Sequence, residues 1–70
     1  MMSEVRIETD FIKLDALLKF AGAVMSGGEA KSVVAEGLVR VNGEECLMRG
    51  KKIYPGDVVE LGGEAYQVTK

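Results

Sequence analysis

Hydrophobic and polar positions alternate near the start of the chain and then change to a helical spacing. Val5 and Ile7 stand between charged residues, and this period of two predicts a short strand with one buried face. We expect Thr9 or Asp10 to cap the helix that follows, and Gly22 to lie just past its end. The inner face of this first helix has apolar residues at steps of three and four, namely Leu14, Leu17, Leu18 and Ala21.

A second short helix is predicted from a capping motif. Residues 26–29 read Ser-Gly-Gly-Glu, the S-x-x-E form in which the serine hydroxyl and the glutamate carboxylate each accept from the other residue's amide. Apolar positions at helical spacing follow at Ala30, Val33 and Val34, and Gly37 is placed to end the helix. The link between the two helices is short, so we expect them to pack as a pair.

A period of two returns after the second helix and predicts a hairpin. Val39 and Val41 alternate with a charged residue, and Asn42-Gly43 is the strongest short signal for a tight hairpin turn. The return strand is expected over residues 44–47, and a basic loop over residues 48–54.

Two further strands are predicted in the last third of the chain. Pro55-Gly56 suits the central positions of a type II turn. A strand is expected over residues 58–61, and a last strand contains Tyr66 and Val68. Gly62-Gly63 separates the two strands as a turn.

The composition is that of one small globular domain, which we expect to span residues 1–70. Hydrophobic residues make up 47% and charged residues 29%. A chain of this size buries only about 60% of its unfolded surface, so we expect function on the surface and not in a deep cavity. Cys46 is the only cysteine and there is no histidine, which excludes an internal disulfide and the usual zinc ligand sets.

The residue types also argue against catalysis. Without histidine the chain lacks the commonest general acid–base group and any Ser-His-Asp or Cys-His set. No P-loop or dinucleotide fingerprint occurs. We therefore expect no enzyme, no catalytic residue, no metal, no cofactor and no small-molecule substrate. No apolar run approaches the roughly 20 residues that cross a bilayer, and a lone thiol fits a reducing compartment. These features predict a cytoplasmic protein without membrane contact.

Short motifs stand in a fixed order between residues 13 and 43. They are Lys13-Leu14-Asp15, Gly22, Ser26, Ala30, Val33, Gly37, Val39, Val41, Asn42 and Gly43. In this spacing they resemble the S-four RNA-binding domain family, whose pattern is R-L-D, Gly, S-R-x-x-A-x-x-L and G-x-V-x-V-N-G. Gly56-Asp57-Val58-Val59 resembles the later G-D-x-V strand, which gives a core motif over residues 13–61. Lys13 and Gly27 stand at two positions where the family has arginine.

The resemblance implies an α+β fold of the S-four-type alpha-L kind. Two short packed helices then lie against a small, mostly antiparallel sheet with the V-N-G hairpin. The S-G-G-x-A-K segment at residues 26–31 and the R-G-K-K segment at residues 49–52 resemble the small stand-alone branch of the family in particular. The resemblance further implies a non-catalytic bacterial RNA-binding protein, which we expect to be a monomer. Its expected partner is structured RNA, with ribosomal RNA or a ribosome precursor as the first candidate.

Nine basic against eleven acidic residues give a formal net charge of −2, so RNA binding must depend on where the cations lie. The start of the second predicted helix is one candidate anion site, because its first amides are free and its glycines let a phosphate approach. The basic loop is another. The candidate RNA-binding residues are Lys13, Ser26, Gly27, Gly28, Lys31, Arg40, Arg49, Gly50, Lys51 and Lys52. The acidic residues expected on strands near the chain ends are Glu4, Glu8, Glu60 and Glu64.

Each candidate also has a simpler structural interpretation. The two glycines of the second helix start can serve only to shape a turn, with Glu29 already at the cap. The basic loop can be a solvated loop that keeps the protein soluble. Arg40 can pair with Glu44 or Glu45 across the hairpin, and Lys19 is expected to be neutralised by Asp15. Tyr54 is expected at the edge of the core and not in contact with a base.

A protein-interaction module that docks on a ribosomal or other protein is the alternative function. Small ubiquitin-like sulfur carriers share the V-N-G-E hairpin and the G-D-x-V-E strand. Their chemistry needs a C-terminal Gly-Gly carboxylate, whereas Gly62-Gly63 is internal here. The carrier role is therefore disfavoured.

Overall fold

The computed structural model describes residues 2–70 and contains two helices, a five-stranded sheet and a two-stranded ribbon. The helices are α1 (Leu14–Phe20) and α2 (Gly27–Ala35). The strands are β1 (Met2–Arg6), β2 (Ile12–Lys13), β3 (Val39–Val41), β4 (Glu44–Glu45), β5 (Lys52–Ile53), β6 (Val58–Leu61) and β7 (Glu64–Thr69). Neither helix in this part of the chain is long and apolar enough to cross a membrane.

The five-stranded sheet has the order β1-β7-β6-β3-β4 and is antiparallel except at one edge. There β1 runs parallel to β7, with Val5 opposite Val68. The ribbon pairs β2 with β5 in antiparallel register. The predicted α+β class, with two packed helices and a mostly antiparallel sheet, is confirmed.

The core lies between the helices and one face of the strands. Leu14, Leu17 and Leu18 have no exposed surface, which confirms the predicted inner face of α1. Val5 and Ile7 are buried as their alternation predicted. Cys46 is a buried free cysteine within the same cluster. The remaining buried residues of this cluster are Val24, Ala30, Val34, Val39, Val41, Ile53, Val59 and Val68.

The predicted turns are present and have the expected backbone geometry. Asn42 and Gly43 both have positive φ, 52° and 85°, as a type I′ hairpin requires. In the Pro55-Gly56 turn the Asp57 amide donates to the Tyr54 carbonyl at 3.0 Å, and Gly56 has a φ of 99°. The local sequence therefore predicted the positions of both turns correctly.

The start of α1 differs from the prediction. Lys13, not Thr9 or Asp10, is the N-cap, and no side chain caps the helix. The Thr9 hydroxyl donates to the Phe11 carbonyl at 2.7 Å, and Asp10 forms an ion pair with Lys70 at 3.2 Å. The reason is that β2 leads straight into α1, so backbone groups of a distant loop satisfy the first helix amides.

The return strand of the hairpin is also shorter than predicted, since β4 ends at Glu45. The Cys46 amide still donates to the Val39 carbonyl at 3.0 Å. Val39 is the first residue of β3, so a longer return strand has no partner. Leu47 is consequently 60% exposed.

Candidate nucleic-acid interface

The basic loop is attached to the start of α1 through its backbone. The Leu14 amide donates to the Lys51 carbonyl, and the Asp15 amide donates to the Arg49 carbonyl, both at 2.9 Å. The first amides of a helix have no partners within the helix, so these carbonyls act as its cap. Since the backbone of the loop is used in this way, the exposed side chains of Arg49 and Lys51 extend from a fixed support.

The two-stranded ribbon brings two more cations to the same place. Lys13 and Lys52 are directly opposite each other in the β2–β5 pair, and both are exposed. Like charges directly opposite each other destabilise a strand pair. We call Lys13, Arg49, Lys51 and Lys52 the basic cluster. The structure therefore brings Lys13 together with the predicted RNA-binding cations of the basic loop.

No acidic side chain in the described part of the chain forms an ion pair with the basic cluster. The ion pair found in residues 2–70 joins Lys70 to Asp10. Asp15 lies at the same helix start, but its Oδ1 accepts from the Ala16 amide at 2.8 Å. The cations of the cluster thus remain available to an external anion.

Lys19 was expected to be neutralised by Asp15, and this was wrong. The two side chains form no ion pair in the described structure, and Lys19 is exposed. Together with Gly27 they line a shallow surface groove on the outer side of α1. Lys19 is therefore a further free cation, although it was not among the predicted RNA-binding residues.

The start of α2 is open to solvent and only partly occupied by its own cap. The Ser26 hydroxyl accepts from the Glu29 amide at 3.1 Å, as predicted. The Glu29 carboxylate accepts from the Met25 amide at 2.7 Å and not from the Ser26 amide. A side chain at Gly27 would meet no atom within 4 Å, and at Gly28 only the Ser26 hydroxyl at 3.9 Å. Both glycines are exposed, and Glu29 stands directly after them.

The remaining predicted RNA-binding residues are not members of the basic cluster. Lys31 is exposed on α2, and Gly50 lies at the exposed turn of the basic loop. Arg40 stands in β3 directly between Glu45 of β4 and Glu60 of β6. Residues opposed in a sheet share one face, so acids flank Arg40 on both sides. Strand pairing therefore places Arg40 in acidic surroundings and not beside another cation.

Two motif residues that the sequence singled out hold the sheet together. The side-chain Nδ2 of Asn42 donates to Asp57 Oδ1 at 3.1 Å, and the Val58 backbone amide donates to Asn42 Oδ1 at 2.9 Å. The other Asp57 oxygen accepts from the Tyr54 amide at 2.8 Å. The Asn of V-N-G and the Asp of G-D-x-V therefore join the hairpin to the Pro-Gly turn.

Tyr54 was expected at the edge of the core, and this was wrong. It is 48% exposed, and its ring lies 5.9 Å from that of Phe11, with a 47° angle between the planes. Lys52 Nζ lies 4.9 Å from the centre of the Phe11 ring. An aromatic pair, Phe11 and Tyr54, thus borders the basic cluster. The sequence carried no local signal for it, because β2–β5 pairing creates the contact.

Comparison with known proteins places this chain in a family. A family model described as S4 domain matches residues 5–69. The chain is 44% identical over 63 residues to "Probable ribosome maturation protein RlbA" of Bacillus subtilis, which covers 90% of this chain and 89% of that protein. It is 39% identical over 58 residues to "Putative RNA-binding protein YbcJ" of Escherichia coli, with 83% of each chain covered.

A similar match links the chain to part of a larger protein. It is 40% identical over 51 residues to "Small ribosomal subunit protein uS4" of Novosphingobium aromaticivorans. That match covers 73% of this chain and 24% of the ribosomal protein.

Proposed function

The chain belongs to the S4 domain family, and from this premise we propose that it is a non-catalytic RNA-binding protein of the bacterial cytoplasm. Its target is structured RNA, either ribosomal RNA or a ribosome precursor. The names of the relatives, which concern ribosome maturation, RNA binding and the small ribosomal subunit, support this choice.

The observation that carries the proposal is the unpaired basic cluster. Lys13 and Lys52 are held opposite each other, beside a loop whose carbonyls are fixed to α1. Cations kept together at an electrostatic cost, without acidic partners, are suited to a polyanion. Arg49 can contact a phosphate with two donors, whereas the lysines act as point charges.

The start of α2 contributes a second phosphate site in this proposal. Its open amides at Gly27 and Gly28, the positive end of the helix dipole and the exposed Lys31 all favour an anion. Ser26 orders this helix start through its bond to the Glu29 amide. Contacts to phosphates position RNA without reading bases, so we expect modest sequence selectivity.

The test removes cations from the loop while its backbone contacts stay in place. We expect Arg49→Ala combined with Lys51→Ala to weaken binding to a ribosomal RNA hairpin about tenfold or more, since charge-assisted hydrogen bonds are lost. Adding Lys52→Ala weakens it further. Both carbonyls that cap α1 remain in alanine, so the fold is retained. Fluorescence anisotropy measures the affinity, and circular dichroism checks folding.

A matched control separates the effect of where the cations lie from the effect of the total charge on RNA affinity. Arg6→Ala with Lys70→Ala removes one arginine and one lysine from exposed positions outside the cluster. We expect this pair to change affinity little. Equal losses from both double variants would show that net charge alone, and not the basic cluster, governs binding.

Docking on a protein is the second candidate, and one observation favours it. Leu47, which precedes the basic loop, and Met48, its first residue, are 60% and 68% exposed. In that case ribosome association would survive high salt and the loop alanine variants. It would instead be lost when Leu47 and Met48 are replaced by serine.

A further inference from the structure

Tyr54 is an exposed aromatic residue with a fixed backbone. Its amide donates to Asp57 Oδ2 at 2.8 Å, and its carbonyl accepts from the Asp57 amide at 3.0 Å. Asp57 is itself held by Asn42 at 3.1 Å. The ring is therefore presented from a rigid turn, although 48% of the residue stays exposed.

Of the two rings in the aromatic pair, that of Tyr54 is the one available for stacking. Phe11 is partly buried, and the Lys52 ammonium lies over its ring at 4.9 Å. This cation–π contact occupies a face of the phenylalanine. Phe11 supports Tyr54 from the side with a tilted contact, at a centroid distance of 5.9 Å.

We propose that the aromatic pair is a stacking site for one unpaired nucleobase. The base lies on the exposed face of Tyr54, and the basic cluster holds phosphates of the adjoining nucleotides. This inference rests on the proposed RNA-binding function, and it adds which kind of RNA structure the protein recognises. Every base has a π-face, so the site selects an unstacked nucleotide in a loop or bulge and not a particular base.

The chain provides its own optical reporter for the test. It has two tyrosines and no tryptophan, so Tyr66→Phe leaves Tyr54 as the single tyrosine. Two RNA probes are used, a hairpin with an unpaired loop and a fully paired duplex of the same stem sequence. We expect the hairpin to quench Tyr54 emission and the duplex to leave it nearly unchanged. Equal quenching by both probes would overturn the proposal.

Substitutions then separate stacking from apolar contact. Tyr54→Leu keeps apolar surface and the backbone bonds to Asp57 but removes the ring. We expect it to weaken hairpin binding about tenfold and duplex binding little. Tyr54→Phe should bind like the wild type. Phe20→Leu is the control, because Phe20 is 66% exposed outside the aromatic pair.

The outcomes distinguish this inference from the proposed function. If Tyr54→Leu binds the hairpin as tightly as the wild type, and binding still weakens with salt, the stacking site is wrong and phosphate binding stands. If the wild type binds neither RNA probe at low salt, both proposals fall.

Discussion

Gly27 is the residue at which this chain departs most clearly from the family pattern, which has arginine there. The structure shows open space at this position, since a Cβ would meet no atom within 4 Å. Its φ lies outside the left-handed region, so a side chain is compatible with the backbone. The absence of a side chain is therefore not a requirement of the fold.

We expect Gly27→Arg to tighten binding to a ribosomal RNA hairpin about fivefold, which corresponds to about 1 kcal/mol. The reason is that a guanidinium would be added at the open start of α2. Anisotropy titration measures the gain. Gly27→Ala is the control for helix propensity, which by itself adds up to about 0.5–1 kcal/mol to stability. An arginine variant that binds no better than the alanine variant would remove the α2 start from the interface.

Single residues were predictable where a local rule fixes them. Asn42, Gly43 and Gly56 have the backbone angles that their turn types require. Tyr54 was not predictable, because its exposure depends on pairing between segments far apart in the sequence. Lys19 was not predicted correctly either, for a local reason: its spacing from Asp15 suggested an ion pair, whereas Asp15 Oδ1 accepts from the Ala16 amide.

At the scale of elements, the two helices differ in how their first amides are satisfied. Loop carbonyls cap α1 at Leu14 and Asp15, whereas the Gly27 and Gly28 amides of α2 have no acceptor among residues 2–70. The first turn of α1 is therefore tied to the basic loop.

We expect the Leu14 and Asp15 amides to exchange with solvent roughly tenfold or more slowly than those of Gly27 and Gly28, after correction for intrinsic rates. The physical reason is that exchange at α1 requires the loop to detach. Hydrogen exchange followed by NMR gives the rates within one sample. Similar rates at both helix starts would mean that the loop is not held, and the fixed geometry of the basic cluster would be lost with it.

Elements with a clear period were predicted, and elements without one were missed. The helices, β1, β3, β6 and β7 follow from apolar spacing. β2 and β5 have two residues each, which is too short for a period to appear. This ribbon places Lys13 opposite Lys52. The sequence did not predict this part of the site, because it depends on pairing between strands that are far apart in the chain.

At the scale of the whole molecule, a formal net charge of −2 coexists with a local excess of cations. Glu4 lies on β1, Glu60 on β6 and Glu64 on β7, which are neighbouring strands at one side of the five-stranded sheet. The basic cluster belongs to the ribbon and the loop. Attraction to a polyanion therefore depends on orientation and not on total charge.

We expect the logarithm of RNA affinity to fall with the logarithm of salt concentration at a slope of roughly −3 to −4. This is the slope for four or five neutralised phosphates. Each lysine or arginine removed from the basic cluster should reduce the slope by about one. Titrations over a range of potassium chloride concentrations measure it. An affinity that does not vary with salt would contradict phosphate contacts altogether.

The parallel pairing of β1 with β7 has a consequence for how the chain folds as it is made. β1 sits at the sheet edge and has β7 as its neighbour there, with Arg6 opposite Thr69. On a translating ribosome the first strand therefore waits without its partner until nearly all of the later residues have emerged. Such long-range closure slows folding compared with local contacts. The helices and the hairpin have local contacts that can form earlier, so we expect β1 to join the sheet late in folding.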